Sequence, residues 1–178
     1  PNWYCNASPA LDGERVVVCF GSAGLFCFDF DGKELWKRTD LGKWEHQFGN
    51  GASPVLYGDL VIQWCGPNQS KGRNFLLAVN KKTGETVWEH NEKVGSWGTP
   101  LLAKVDGRDQ LLLSLTPHLK GLDPQTGKEL WFCEGLEKYV YTSPLFSNGV
   151  AVAMSGYTGP ALAVKVGGEG DITKNRLW

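Results

Sequence analysis

Hydrophobic positions along the chain fall in short runs that are separated by turns. The first 40 residues contain the runs ERVVVCF, GLFCFDF and KELWKR, separated by the turns GSAG and DFDG. The same order returns in DLVIQWC, NFLLAVN and ETVWEH, then in DQLLLSL, HLKGLD and KELWFC, and finally in GVAVAMS, ALAVKV and NRLW. Apolar or alternating runs of this length, bounded by turns rich in Gly and Asp, are typical of β-strands. The pattern therefore predicts an all-β chain of short antiparallel strands.

Two marks recur along the chain at a nearly constant spacing. Ser or Thr followed by proline occurs at Pro9, Pro54, Pro100 and Pro144, in steps of 45, 46 and 44 residues. A tryptophan closes each unit, at Trp36, Trp88, Trp131 and Trp178. Four strands in a period of about 40 to 50 residues are typical of β-propeller blades, whereas a β-sandwich has no reason to repeat these marks. The sequence predicts four four-stranded antiparallel blades, at approximately residues 1–39, 40–90, 91–133 and 134–178.

The turn before the closing tryptophan has its own recurring chemistry. Its clearest copies are NKKTGETVW, with Asn80 and Gly84, and DPQTGKELW, with Asp123 and Gly127. An Asn or Asp side chain accepts hydrogen bonds from backbone N–H groups two or three residues further on, and glycine supplies a positive φ. We expect these four residues to be structural. The first copy, DFDGKELW, is one residue shorter, and the longer GGEGDITKNRLW replaces the fourth.

At these turns the chain resembles the pyrroloquinoline-quinone-like (quinoprotein-type) β-propeller repeat family, whose repeat ends in the tryptophan-docking motif Ala-x-Asp-x-x-Thr-Gly-x-x-x-Trp. AVNKKTGETVW matches this motif with Asn in place of Asp, and the third copy has Gly121 at the Ala position. The resemblance covers nearly the whole chain. It implies that Trp36, Trp88 and Trp131 wedge between neighbouring blades and stack on the turn of the next motif. The phrases FGNGASPVLYGDLVI and GGEGDITKNRLW resemble a planctomycete-type branch of propellers similar to the outer-membrane assembly lipoprotein.

Members with this repeat usually close a ring of seven or eight blades. The resemblance thus implies that these four blades are a fragment or half of a larger ring, while a four-bladed ring and a homodimer of half-rings stay open. The chain begins with Pro1 and shows neither an initiator Met nor a signal-peptide pattern. We therefore expect a processed or excised chain.

Composition and charge narrow the classes of partner. Lys and Arg total 18 and Asp and Glu total 19, so we expect no long-range attraction to nucleic acid or to anionic lipid. The sequence has no apolar run of about 18 residues, so we expect no membrane insertion. The 23 glycines and 8 tryptophans suit tight turns and large aromatic plugs between strands.

The five cysteines are predicted to be small buried hydrophobic residues. They form neither a CxxC pair nor a Cys/His cluster, which disfavours a zinc or haem site. Cys19 and Cys27 flank a short turn, but pairing about residues 22 and 23 would set Cys19 opposite Phe26 and Val18 opposite Cys27. That register disfavours a disulfide between the two cysteines.

The loops that precede each first strand, and those that join second and third strands, pave one face of a propeller. Their aromatic and polar residues predict a ligand face of Trp44, His46, Arg73, Trp97, His118, Tyr139 and Tyr157. Such loops suit a peptide, a glycan or a small aromatic ligand. Structural alternatives stay open, because Trp97 also suits packing at a blade junction and the two histidines also suit solvated surface positions.

The features together favour a non-catalytic scaffold that binds a protein or another ligand. By analogy with the assembly-lipoprotein relatives, the partner would be an outer-membrane β-barrel assembly complex and the location the periplasm or cell envelope. A quinoprotein dehydrogenase is the first alternative. It would need pyrroloquinoline quinone, oxygen ligands for Ca²⁺ and an Asp base, yet no loop combines such ligands and no Cys-Cys pair occurs. A carbohydrate-binding propeller is the second, and it requires Trp44, Trp97 and Tyr139 to be exposed on one face.

Overall fold

The fold is all-β, as the sequence predicts. The structure is a computed structural model that describes residues 6–44, 46–68 and 72–178. Within those ranges sixteen strands form four sheets, and the helical segments are two 3₁₀ turns at Gly21–Ala23 and Thr173–Asn175. Among the described residues no helix is both long enough and apolar enough to span a membrane.

The chain divides into two compact units, Pro1–Gly95 and Ser96–Trp178. The first unit contains two four-stranded sheets in which every strand pairs antiparallel with the next. The strands of its first sheet are β1 (Ala10–Leu11), β2 (Val16–Cys19), β3 (Leu25–Phe28) and β4 (Glu34–Arg38). Those of its second sheet are β5 (Val55–Tyr57), β6 (Leu60–Cys65), β7 (Asn74–Asn80) and β8 (Thr86–Glu92). Each sheet has the strand order of a propeller blade.

The second unit contains the other two sheets. The third sheet holds β9 (Leu101–Val105), β10 (Arg108–Ser114), β11 (His118–Leu122) and β12 (Glu129–Glu134). The fourth holds β13 (Leu145–Ser147), β14 (Val150–Met154) and β15 (Ala161–Lys165).

The last predicted strand, NRLW, differs from its expected form. The segment makes one bridge, between Val164 and Arg176, and the N–H of Leu177 donates to the carbonyl of Ala163. A short strand from the preceding loop, β16 (Gly170–Asp171), pairs instead with β12 of the third sheet, and this pairing is parallel. The longer loop before Trp178 leads into a 3₁₀ turn that interrupts the extended chain, which is why the fourth sheet has three full strands.

The Ser/Thr-Pro repeat has a direct structural cause. Each first strand begins directly after the proline, where a missing N–H donor costs little. In the first unit the N–H of Ser8 donates to Oγ of Ser53, at 2.9 Å. In the second unit the N–H of Thr99 makes the equivalent bond to Oγ of Ser143, at 3.0 Å. The hydroxyl of one repeat thus ties down the start of the repeat before it.

Each unit has its own hydrophobic core. In the first unit all six residues of β6 are buried, so both faces of that sheet are covered. In the second unit a core cluster joins the third and fourth sheets through residues such as Leu112, Leu119 and Leu162. This burial matches the uninterrupted apolar runs in the sequence, which are expected where both faces of a strand are covered.

Cys19, Cys27, Cys65 and Cys133 are buried, as the sequence predicts, and Cys5 lies outside the described residues. Burial raises the pKa of Cys27 to about 11. The predicted hairpin register was wrong by one residue, since Cys19 pairs with Leu25 and Val17 pairs with Cys27. The reason is a five-residue loop closed by a bond from the N–H of Phe20 to the carbonyl of Gly24.

Candidate functional site

Trp36 is wedged against the turn that precedes the next tryptophan. Its indole Nε1 donates to the carbonyl of Lys81 at 2.9 Å. The ring covers Gly84 so closely that a Cβ there would lie 2.9 Å from Cδ2 and Cε3 of the indole. Arg38 adds bonds to the Gly84 carbonyl and to Oγ1 of Thr86. This contact joins the two sheets of the first unit.

The two best-preserved turns are held by their first residue. Oδ1 of Asn80 accepts from the N–H groups of Lys82 and Thr83, and the N–H of Gly84 returns to the Asn80 carbonyl. Asp123 repeats the arrangement with Gln125, Thr126 and Gly127. Burial acts to raise the pKa of Asp123, but the bonds from Arg108 and from the backbone outweigh it and hold that pKa below its usual value.

Trp131 differs from Trp36 in the partner of its indole. It is fully buried, and its Nε1 donates to Oε1 of Gln110 on β10 of its own sheet, at 2.7 Å. The indole lies across Gly121, its partner in the β11–β12 ladder, where a Cβ would overlap the ring. Gly121, at the Ala position of the motif, therefore leaves room for the Trp131 indole to pack on its own sheet. The expected hydrogen bond to the turn of the next motif is replaced by the bond to Gln110.

The other two closing tryptophans have different surroundings. Trp88 is buried and lies opposite Ala78 in the β7–β8 ladder. Trp178 is 59% exposed, and its carbonyl accepts from the N–H of Ala163.

Two predicted face residues of the first unit have local structural contacts. Trp44 is buried, its Nε1 donates to the carbonyl of Leu41, and its backbone N–H donates to Oγ of Ser22. His46 is half-buried, its Nδ1 accepts from the N–H of Phe48, and burial lowers its pKa. Trp44 is therefore a core residue of this unit.

The third predicted face residue of the first unit, Arg73, reaches along the sheet. Its guanidinium donates to Glu89 and Asn91 on β8 and lies over the Phe75 ring, 4.4 Å from the centroid. These contacts hold the start of β7 against β8.

His118 opens a strand instead of lying in a loop. It begins β11, where its ring packs edge-on against Phe132 at 5.0 Å and its Nε2 lies 3.6 Å from Oε1 of Glu134. The run HLKGLD predicts this strand, but the prediction of His118 as a solvated surface residue was wrong, since pairing with β12 places it on the sheet.

Three loops of the second unit bring four aromatic rings together. Trp97 lies 5.0 Å from Tyr141 and 6.2 Å from Tyr139, measured between ring centroids. The Tyr157 ring lies 5.2 Å from Tyr139 and 6.0 Å from Tyr141. The rings of Tyr139 and Tyr141, which share a loop, are 6.0 Å apart. We call these four residues the aromatic cluster. It unites three of the seven predicted face residues with Tyr141, which lies in the same loop as Tyr139, before Pro144.

The backbone of the aromatic cluster is strained at two positions. Tyr139 and Tyr157 have φ values of 62° and 54°. The other non-glycine residues with positive φ among the described residues are Asp106 and Asn148, each followed by Gly in a two-residue hairpin loop that favours this conformation. Tyrosine has no such preference, and strain of this kind gathers at binding and catalytic sites.

Close packing holds the Tyr141 ring of the aromatic cluster in place. Partial burial, and to a smaller extent the neighbouring Tyr157, raise the pKa of Tyr141 to about 12. A Cβ on Gly156 would overlap the Tyr141 ring, so this position needs glycine. Tyr157 remains 74% exposed at the surface of the cluster.

Three of the four residues of the aromatic cluster share a sequence spacing. Trp97, Tyr141 and Tyr157 each stand three residues before a proline, in WGTP, YTSP and YTGP. The first two of these segments lead into first strands and the third joins the second and third strands of the fourth sheet. The shared spacing is a sign that the three rings occupy related positions.

Comparisons with known proteins identify the repeat. The sequence profile of the family described as outer membrane protein assembly factor BamB matches residues 3–133 and 72–169. The quinoprotein alcohol dehydrogenase PedH of Pseudomonas putida is 26% identical over 91% of this chain. The chain spans 29% of the length of that relative.

Solved β-propellers share the fold. BamB from Moraxella catarrhalis matches with a TM-score of 0.68 and 20% identity, over 98% of this chain and 49% of that one. The quinohemoprotein alcohol dehydrogenase of Comamonas testosteroni matches with a TM-score of 0.59 and 15% identity, over 90% of this chain and 32% of that one. The strand order of each sheet, the repeat and the profile match agree, and the chain belongs to the outer membrane protein assembly factor BamB family of β-propellers with pyrroloquinoline-quinone-like repeats.

Proposed function

We propose that this chain is a non-catalytic β-propeller scaffold that docks a protein partner through its aromatic cluster. The observation that carries the proposal is the pair of left-handed tyrosines, Tyr139 and Tyr157, in one cluster with an exposed ring. Backbone strain of about 1 to 3 kcal/mol at each residue persists only where the surrounding structure imposes it. Tyr and Trp are also the residues that most often anchor protein interfaces.

The described carboxylates with lowered pKa values have structural partners. Arg38 holds the pKa of Asp40 below its usual value, and the hydroxyl and N–H of Thr173 do the same for Asp171. Asp123 is engaged by Arg108 and by its own turn. These groups build turns and sheet contacts, which supports a scaffold role for the surfaces that carry them.

The alternative function is that of a quinoprotein dehydrogenase, which the similarity to PedH favours. Such a site needs carboxylate and amide oxygens around Ca²⁺. The segments 95–100, 139–144 and 155–160, which carry Trp97, Tyr141 and Tyr157, contain no Asp, Glu, Asn or Gln. The side chains of these segments do not fit a quinone–calcium site, and we expect no pyrroloquinoline quinone to bind there.

Membership in the BamB family supports an envelope location and a partner in outer-membrane protein assembly. The test is surface plasmon resonance of the chain against a purified outer-membrane β-barrel assembly complex. We expect saturable binding that weakens at least about tenfold in Tyr157→Asn, because loss of a hot-spot aromatic residue costs about 2 kcal/mol or more and about 1.4 kcal/mol is already tenfold. Phe30→Ala is the control, since Phe30 is 58% exposed in the turn between β3 and β4.

Two outcomes would contradict this proposal. One is the absence of binding by the folded chain. The other is an equal loss of affinity in Tyr157→Asn and Phe30→Ala, which would mean that the cluster is not the docking surface.

A further inference from the structure

We infer that the second unit binds a phosphate ester that carries hydroxyl groups, the chemistry of a sugar phosphate. The site is a cavity of about 610 Å³ whose lining residues all belong to that unit. This volume lies in the range of small-molecule sites. The inference adds a ligand site to the proposed docking function and does not depend on it.

The cavity is built mainly by the loop GGEGDITKNRLW, which replaces the short turn of the other repeats. In the first unit that turn accepts the indole hydrogen bond of Trp36. Trp131 donates to Gln110 of its own sheet, so its indole hydrogen bond does not engage the loop of the fourth repeat. Residues 167–168 and 174–177 of this loop line the cavity. The longer loop therefore forms a concave surface in place of a tryptophan-docking turn.

The cavity is positively charged, although the chain as a whole has a net charge of −1. Its lining contains Lys165, Lys174 and Arg176 and one carboxylate, that of Asp106, so three positive charges and one negative charge leave +2. None of these three cations forms an ion pair with any residue that the structure describes. Arg176 uses one N–H on the carbonyl of Glu134 and keeps its other donors. An anionic ligand would thus meet three cations that no protein carboxylate neutralises by direct contact.

Two further carboxylates stand on the same loop outside the cavity lining. Glu169 is exposed, and Asp171 accepts from the N–H of Thr173 at 2.8 Å. The hydroxyl of Thr173 also bonds to Asp171, and both bonds help to hold the pKa of that carboxyl below its usual value. Asp171 is therefore engaged by its own turn, and Asp106 supplies the carboxylate of the cavity itself.

The backbone of the cavity wall adds hydrogen-bond donors. Gly167 and Gly168 have φ values of 136° and 87°. Neither N–H donates to an acceptor in the described part of the chain. Successive backbone N–H groups in turns of this kind are common components of phosphate sites. Together with two ammonium groups and a guanidinium, these donors suit the oxygens of a phosphate group.

The remaining lining groups suit hydroxyls. A Cβ on Gly167 would lie 3.0 Å from Oδ2 of Asp106, so this carboxylate rests against the glycine wall. Asn175 contributes an amide, which both donates and accepts. A carboxylate repels an anion but accepts hydrogen bonds from hydroxyl groups, and the cavity is much larger than an inorganic phosphate ion. The lining therefore favours a hydroxylated phosphate ester over the bare anion.

The cavity lies at the other end of β15 from the aromatic cluster. The strand begins at Ala161, directly after the segment 155–160 that carries Tyr157, and ends at Lys165 on the cavity. At about 3.3 Å per residue, its two ends are about 13 Å apart. A ligand in the cavity needs no contact with the cluster, so ligand binding and docking are tested separately.

The test is isothermal titration calorimetry of the full chain with glucose 6-phosphate. Inorganic phosphate and glucose are the comparison ligands. We expect saturable binding of glucose 6-phosphate with a Kd of about 1 mM or below. Inorganic phosphate should bind at least about tenfold more weakly because it makes no hydroxyl contacts, and glucose should give no measurable heat of binding.

Two lysine variants locate the site. Lys165→Gln and Lys174→Gln should each weaken glucose 6-phosphate binding about three- to tenfold, because each removes one partly solvated charged donor. The matched control is Lys128→Gln, since Lys128 is exposed in the turn between β11 and β12 and does not line the cavity. Its affinity should equal that of the wild type.

Asp106→Asn tests the class of ligand. Asn tolerates the φ of 50° at this position, so the hairpin between β9 and β10 is kept. Loss of the negative charge should strengthen the binding of inorganic phosphate. Loss of the carboxylate acceptor should narrow the difference in affinity between phosphate and glucose 6-phosphate.

Four results would overturn the inference. They are the absence of saturable glucose 6-phosphate binding by the folded chain, equal affinities for glucose 6-phosphate and inorganic phosphate, an equal effect of the control and the two cavity lysine variants, and an unchanged ratio of the two affinities in Asp106→Asn. The second would indicate a bare anion site, and the third a general attraction to surface charge. Binding of glucose 6-phosphate by a chain that does not bind the assembly complex would support this inference and refute only the docking function.

Discussion

Gly84→Ala is the sharpest test of how the tryptophan-docking contact stabilises this fold. Gly84 has φ = +74°, and an added Cβ would lie 2.9 Å from two ring atoms of Trp36. That ring is held by its bond to the Lys81 carbonyl, and Trp36 is only 8% exposed. The new methyl group must displace either the indole or the turn.

The magnitude follows from three separable costs. Placing Ala in a left-handed conformation costs about 1 to 2 kcal/mol. Overpacking against the indole adds about 1 to 3 kcal/mol, and loss of the Trp36 hydrogen bond adds about 1 kcal/mol. We expect Gly84→Ala to lower the free energy of unfolding by about 3 to 6 kcal/mol on these values.

The matched control is Gly32→Ala. Gly32 lies in the corresponding turn of the first sheet with φ = +83°, and nothing lies within 4 Å of its Cβ position. The control carries the same backbone cost and the same change in the unfolded chain, without the ring contact. Urea unfolding followed by circular dichroism gives both free energies, and an equal loss in the two variants would refute the packing argument.

Three further predictions concern the other contacts. Gly121→Ala should destabilise the chain by more than 2 kcal/mol, on the order of an overpacked core, because its Cβ would overlap the Trp131 indole; urea unfolding checks this, and wild-type stability would contradict it. Asp123 has a lowered folded-state pKa, so its stabilising contribution is full above its unfolded pKa of about 3.9 and is lost as the pH falls through the folded-state value. Asp123→Asn should therefore be less stable than wild type at neutral pH and lose less stability on acidification, and parallel pH profiles of unfolding would rule this out. Ser143→Ala should cost about 1 kcal/mol by removing the acceptor of the Thr99 N–H bond, while Ser147→Ala, on the exposed end of β13, should change stability by less than about 0.5 kcal/mol.

The sequence predicts the repeat-level architecture well because that architecture is periodic. Proline at each first strand and the apolar runs between turns report on local backbone geometry, which acts within a few residues. The chain therefore shows the antiparallel sheets that the pattern predicts.

Features that depend on distant atoms were not predictable in this way. The turning of the Trp131 indole depends on Gln110, 21 residues away, and on the missing Cβ of Gly121. The contact of β16 with β12 depends on a loop whose length departs from the repeat. A two-residue turn was assumed between Cys19 and Cys27 where a five-residue loop forms, and this shifted the register.

In the candidate site, too, the sequence predicts the positions that follow from the repeat and not those that depend on tertiary contacts. The loops supplied Trp97, Tyr139 and Tyr157 because loop positions follow from the repeat. Tyr141 lies in the same loop as Tyr139, and the left-handed conformation of Tyr139 is one that no local preference of tyrosine indicates. Trp44 was predicted on the same grounds, but its indole is buried against the chain near Leu41.

The measurement that tests the central claim most directly is titration of the full chain with pyrroloquinoline quinone and Ca²⁺, followed by tryptophan fluorescence. A binding scaffold predicts no saturable quenching by a sample whose circular dichroism shows folded β-structure. Saturable quenching at micromolar quinone that depends on Ca²⁺ would contradict the scaffold account and would place this chain among the cofactor-binding quinoproteins.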